Sequence, residues 1–283
     1  MKNSTTSNLQ IGIRLHDMES VSLEERLVLA KEKGFTCAHL ASKLIYSEYH
    51  IDRHGLTPGL AAHLRRKFSE NGIDIAVYGC YLNLANPDPQ KLHEIIEEYK
   101  ANIRFAAWLG ASLVGTETGA PNIEYAYCPQ CHEEEAFVFF LKNLKQVVDY
   151  AESYGITIAI EPVWRHIIYN PQRTRIALDT IGRDHLQIIF DPVNMLAECN
   201  HLQQKELFHE MLGLNGNDIV LLHAKDYTVD GSELIACAPG SAGNLDYSEI
   251  LAWLKEHKPY LHVTMENTTP ENAVEAMNFL KGF

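Results

Sequence analysis

What the chain lacks narrows its function first. Its 283 residues contain no run near the ~18 consecutive apolar residues of a membrane span. The opening MKNSTTSNLQ has no apolar signal core, so export is not expected, and residues 1–10 read as a flexible tail. Cysteine is sparse and scattered: Cys37, Cys80, Cys128, Cys131, Cys199 and Cys237 point to reduced thiols and a cytoplasmic setting. Cys128 and Cys131 form a single CPQC followed by His132. Without a second pair, this reads as a reduced loop pair rather than a zinc site. Basic residues are outnumbered, 24 Lys+Arg against 37 Asp+Glu for a net charge of −13, which argues against a nucleic-acid-binding surface. No glycine-rich phosphate loop stands out, favouring an unphosphorylated small molecule.

What remains is ordinary for a globular enzyme: 46% hydrophobic and 22% charged residues. Short apolar runs alternate with helical patterns. Strands are expected at Ile11–Leu15, Cys37–Ala41, Ile73–Tyr78 and Leu113–Thr116. Helices are expected from Ser22, a capping residue with Glu25 three positions on, from Thr57-Pro58 to Gly72, and over Pro89–Leu109. A further helix covers about 133–154, with later ones near 171–182, 198–213, 246–257 and 270–281, the last with Pro270 in its first turn. The segment 118–132 is the longest irregular connection and a candidate cover for a site.

Four phrases share one grammar: AIEPVW at Glu161, IIFDPVN at Asp191, VLLHAKD at His223 and VTMENTT at Glu266. Each is an apolar run that stops at a carboxylate or imidazole. Such runs are strands buried on both faces, as in a parallel sheet covered by helices. Successive phrases are about one strand–helix unit apart, roughly 30 residues or somewhat more. With eight alternating pairs and no linker, the prediction is a single-domain (β/α)8 TIM barrel over 1–283, with an open doubly wound sheet as the other arrangement. In a barrel these strand ends converge on one mouth. Three carboxylates and one imidazole there suit a hard or borderline divalent ion such as Mn2+, Mg2+ or Co2+.

The ordered phrases EP, FDPVN, HAKD and MEN, with YLNLANPDPQKL at 81–92 and GTETG at 115–119, resemble the xylose-isomerase-like superfamily of sugar isomerases and epimerases. The match is to its ketose 3-epimerase and hydroxypyruvate isomerase branch. The resemblance implies that Glu161, Asp191, His223 and Glu266 bind one divalent cation, commonly manganese, with zinc also possible. It implies further that Glu161 and Glu266 exchange a proton on opposite faces of the substrate carbon, through a cis-enediolate held on the cation. The chain departs from many relatives at Asn194, where they carry histidine, and at Ile167, where some ketose 3-epimerases carry a second glutamate.

Around this quartet, strand-end placement nominates His16 and Glu117 as polar walls. Arg165 and His166 follow Glu161 closely, and Tyr81 and Trp164 are candidate apolar walls. Lys225 is expected on the same side of its strand as His223, two residues earlier. Asn194 is able to hydrogen-bond a hydroxyl but not to titrate near neutrality. The expected partner is a small sugar or polyol, with a homodimer or homotetramer open. An inosose or dehydroshikimate-type dehydratase and a non-catalytic sugar-binding barrel are the rival functions. The apurinic endonucleases of the superfamily need more strand-end histidines than this chain offers.

Overall fold

A computed structural model describes residues 9–283. The strands form where the sequence buries both faces, as in Cys37–Ala41, which is buried throughout. They are β1 (Gln10–Arg14), β2 (Cys37–Ala41), β3 (Asp74–Gly79), β4 (Leu113–Glu117), β5 (Thr157–Glu161), β6 (Leu186–Phe190) and β7 (Ile219–Ala224). A hairpin follows, made of β8 (Asp226–Asp230) and β9 (Glu233–Cys237), and then β10 (His262–Met265). All but the hairpin close into a parallel barrel in the order β1-β10-β7-β6-β5-β4-β3-β2. The predicted TIM barrel is therefore what the chain forms, and the open sheet is excluded.

Helices α1 (Leu23–Glu32), α2 (Ser42–Tyr49), α3 (Pro58–Asn71), α4 (Pro89–Leu109) and α5 (Glu134–Glu152) alternate with the first strands. Then come α6 (Pro171–Ile181), α7 (Gln204–Asn215), α8 (Ser248–His257) and α9 (Ala273–Lys281). Helix α1 starts in the expected capping box: the Ser22 hydroxyl accepts from the Glu25 N–H while Glu25 reaches back to the Ser22 N–H. Such a cap contributes about 1 kcal/mol. Leu23, Leu27 and Ala30 bury its inner face. Helix α5 places Phe137, Phe140, Leu144 and Val148 against the barrel, each large side chain contributing about 1.5–3 kcal/mol of burial.

The main core lies between helices and barrel. A smaller cluster, Cys37, Ala76, Val77, Ala159, Ile189 and Leu221, consists of strand residues alone. At the β1–β2 seam a side chain at Gly12 would place its Cβ 2.0 Å from the Cys37 carbonyl oxygen, so only glycine lets these strands approach.

Four details differ from the sequence reading. Helix α2 was not expected; it starts directly after β2 without a side-chain cap. The β8–β9 hairpin was not expected either. Pro270 precedes α9 rather than occupying its first turn, and of the residues assigned to the tail Leu9 is buried and Gln10 opens β1. The rest of that tail expectation falls on residues 1–8, outside the described residues. No helix among the described residues is long and apolar enough to cross a membrane.

Candidate functional site

The carboxyl ends of the strands carry the polar side chains, because there the apolar runs give way to loops. Glu161 ends β5, Asp191 follows β6, His223 lies near the end of β7, and Glu266 follows β10. All four are buried. His223 Nδ1 stands 3.1 Å from Glu161 Oε2 and 3.3 Å from Glu266 Oε1. Both are ion-pair contacts, and neither ring nitrogen of His223 has a partner in hydrogen-bonding geometry. Atoms sharing one ion at bond lengths of about 2.0–2.2 Å are themselves roughly 3.0–3.6 Å apart. The two separations from His223 Nδ1 fall in that range. Two overlapping groups, Glu161–Asp191–His223 and His39–His223–Glu266, each present ligand atoms within 4.8 Å of one another.

His39 did not emerge from the sequence reading. It sits in mid-strand in β2, fully buried, with its ring stacked 5.4 Å from that of His223 and neither nitrogen bonded. A histidine inside the otherwise apolar CAHLA was the available signal. Arg14 was also missed, although it ends β1 much as Glu161 ends β5. Its Nη1 lies 3.2 Å from Glu266 Oε2, and its Nε bonds Asp17. A side chain at Gly79 would place its Cβ 2.4 Å from His39 Nε2 and 2.7 Å from the Tyr81 ring, so this glycine makes room for the polar wall.

Lys225 comes to the same side as His223, as strand alternation requires. Its Nζ lies 2.8 Å from Asp191 Oδ2 and 3.3 Å from Glu266 Oε2. Asn194 is bound at both ends: its amide donates to Glu161 Oε1, and its backbone N–H donates to Asp191 Oδ1 at 2.9 Å.

These contacts set the charges. Burial pushes the His223 imidazole down, but Glu266 and Glu161 together outweigh it and lift its pKa to about 9. Burial pushes Glu266 up, and His223, Lys225 and Arg14 more than reverse this, holding it well below the carboxylate range. Asp191 rises to about 6, since burial outweighs the attraction of Lys225. His16 falls to about 4, through burial and then the charge of Arg14.

The mouth encloses a cavity of about 580 Å³ lined by His16, Tyr81, Glu117, Glu161, Asn194, Lys225 and Glu266, with Arg14 and His39. Glu117 ends β4 beside Glu161. Burial and the Glu161 charge raise its pKa to about 7, while Tyr125 donates to its Oε2 at 3.2 Å. Arg165 is exposed and lines a neighbouring cavity instead, together with Trp164. The loop 118–132 contributes no lining residue to the central cavity. Asn83 anchors it by donating to the Ala120 and Asn122 carbonyls, and its Tyr125 and Tyr127 meet Glu117 and Trp164 at the edge of the mouth. Cys128 and Cys131 in this loop are free thiols with sulfurs 3.8 Å apart.

Residues 27–283 match the family model described as xylose isomerase-like TIM barrel. The chain belongs to this family. A zinc-bound IolI protein superposes on this xylose isomerase-like barrel with a TM-score of 0.75 at 21% identity, covering 97% of this chain and 96% of that one. A D-tagatose 3-epimerase-like protein does so at 0.71 with 20% identity, over 97% and 96% of the two chains. An uncharacterized protein of Methanocaldococcus jannaschii is 24% identical over 236 residues, 81% of this chain and 76% of its own. The structural likenesses at these identities are likenesses of fold.

Proposed function

We propose that this barrel is a divalent-metal-dependent sugar isomerase or epimerase. The observation that carries the reading is the pair Glu161 and Glu266, both within 3.3 Å of His223 Nδ1. They enter from β5 and β10, which β7 and β6 separate on one side of the barrel and four strands on the other. Two carboxylates brought in from non-adjacent strands are suited to take a proton from one face of a carbon and return one to the other.

A cation held by Glu161, Asp191, His223 and Glu266 supplies, when bound, electrostatic stabilisation of negative charge developing on sugar oxygens. The mixed oxygen and imidazole donors favour Mn2+ among the candidates, and the zinc-bound relative makes Zn2+ the second choice. Glu266, kept ionised by the Lys225 and Arg14 charges beside it, abstracts the proton next to the carbonyl. Glu161, oriented by the Asn194 amide, handles the opposite face. His16, Tyr81 and Lys225 line the cavity and supply hydrogen bonds to hydroxyls. Return of the proton to the same carbon gives an epimer, and to the adjacent carbon an aldose–ketose isomer.

The test is solvent deuterium incorporation into ketoses and inososes, followed by NMR with Mn2+ present. Exchange is expected in the native protein and should fall about 10²–10⁴-fold in Glu266→Gln, which keeps an oxygen donor but removes the base. Normal exchange in a Glu266→Gln protein that still binds the ion would refute the two-carboxylate reading. One observation favours a dehydratase as second reading: Glu117 lines the cavity beside Glu161, and a pKa near 7 suits it to protonate a departing hydroxyl. Loss of water from the product identifies that reaction.

A further inference from the structure

We infer that the substrate is a keto sugar bearing a second sugar ring, with that ring seated in a subsite outside the catalytic cup. The inference rests on the proposed reaction and adds the substrate class. Next to the central cavity lies another of about 270 Å³. Asn194 and Ala236 line both, so the two cavities adjoin at these residues. The inner cavity alone, about 580 Å³, is within the roughly 300–1,000 Å³ that holds a drug-sized ligand. A free hexose is smaller than such a ligand and has no use for the outer lobe.

The outer lobe is a built site. Its platform is Trp164, whose backbone N–H donates to the Asn194 carbonyl at 2.7 Å. The Trp164 carbonyl accepts from His132 Nε2, also at 2.7 Å. Tyr127 and His132 flank the indole at 5.2 and 5.4 Å between ring centres. An indole fixed from several sides presents a rigid apolar face, the surface on which the C–H face of a pyranose packs.

Leu234 and Ala236 of β9 also line the lobe. That hairpin is anchored at its base by the buried Asp226 carboxylate, which accepts from the N–H groups of Tyr227, Ala242, Gly243, Asn244 and Leu245. On the rim, Arg165 and Glu198 have no hydrogen-bond or ion-pair partner among the described residues. One donor and one acceptor of opposite charge suit the hydroxyls of a neutral ring better than a phosphate, which Glu198 would repel.

The experiment compares fructose with its 4-O- and 6-O-glucosyl derivatives, which keep an open-chain ketose end. Deuterium incorporation with Mn2+ is read by NMR. A glucosylated ketose is expected to show at least about tenfold higher kcat/KM than fructose. Trp164→Ala, and separately Leu234→Trp, which fills the lobe, should each lower that ratio at least about tenfold while the protein stays folded by circular dichroism. A second readout needs no turnover: maltose should change the indole fluorescence of the native protein, and Trp164→Phe should abolish the change. Equal kcat/KM for both substrate classes, or a ratio unmoved by both variants, overturns the inference and leaves the epimerase reading intact. Exchange with neither class overturns that reading, and the inference with it.

Discussion

Metal binding to this site should release a proton at neutral pH. His223 is held at a pKa of about 9 because Glu161 and Glu266 crowd its Nδ1 in the metal-free protein. An imidazole ligates only when neutral. At pH 7 the ring is therefore about two units below its pKa, and stripping its proton weakens apparent affinity about 100-fold, or ~2.7 kcal/mol. Affinity should rise about tenfold per pH unit from 7 towards 9 and then level off. Asp191, at about 6, adds a second proton below pH 6 and steepens the slope. The sign is fixed: both groups bind protons in competition with the ion, so affinity can only fall as pH falls. Calorimetry with Mn2+ in buffers of differing ionisation enthalpy should give close to one proton released per ion at pH 7.5. A pH-independent affinity with no proton release would refute the assignment of His223 as a ligand.

Further outcomes follow from particular contacts. Lys225→Met removes the ammonium 2.8 Å from buried Asp191 and 3.3 Å from Glu266. Breaking such a buried pair should cost about 3–5 kcal/mol, read as a fall in the urea midpoint of metal-free protein, and millimolar Mn2+ should recover part of it. Gly12→Ala forces a Cβ against the Cys37 carbonyl and should destabilise by about 1–3 kcal/mol or more, measured by the same unfolding curve. Tyr125→Phe deletes the donor that favours ionised Glu117. The Glu117 pKa, about 7 in the native protein, should then rise, moving the corresponding limb of the kcat/KM–pH profile to higher pH. An unmoved profile would remove Glu117 from the proton inventory.

Much of this was already written locally in the chain. The period of apolar residues sets which segments become two-face-buried strands, and a carboxylate or imidazole ending such a run is carried to the barrel mouth by the strand itself. Glu161, Asp191, His223, Glu266 and Lys225 were legible as strand-end residues for that reason, as were the helix starts at Ser22 and Thr57; the Asp88 cap of α4 was not read. Closure of the barrel decided the rest. Pairing of β1 with β10 brings Arg14 against Glu266 across almost the whole chain, and no local pattern encodes which strands become neighbours. His39 joins His223 through a stacking contact between strands that do not pair. Arg165, close to Glu161 in sequence, lines the outer lobe, after a Trp164 whose N–H is tied to the Asn194 carbonyl. Sequence settles which side of its own strand a residue occupies, whereas its partners across the barrel depend on strand order and register, which only the closed structure sets.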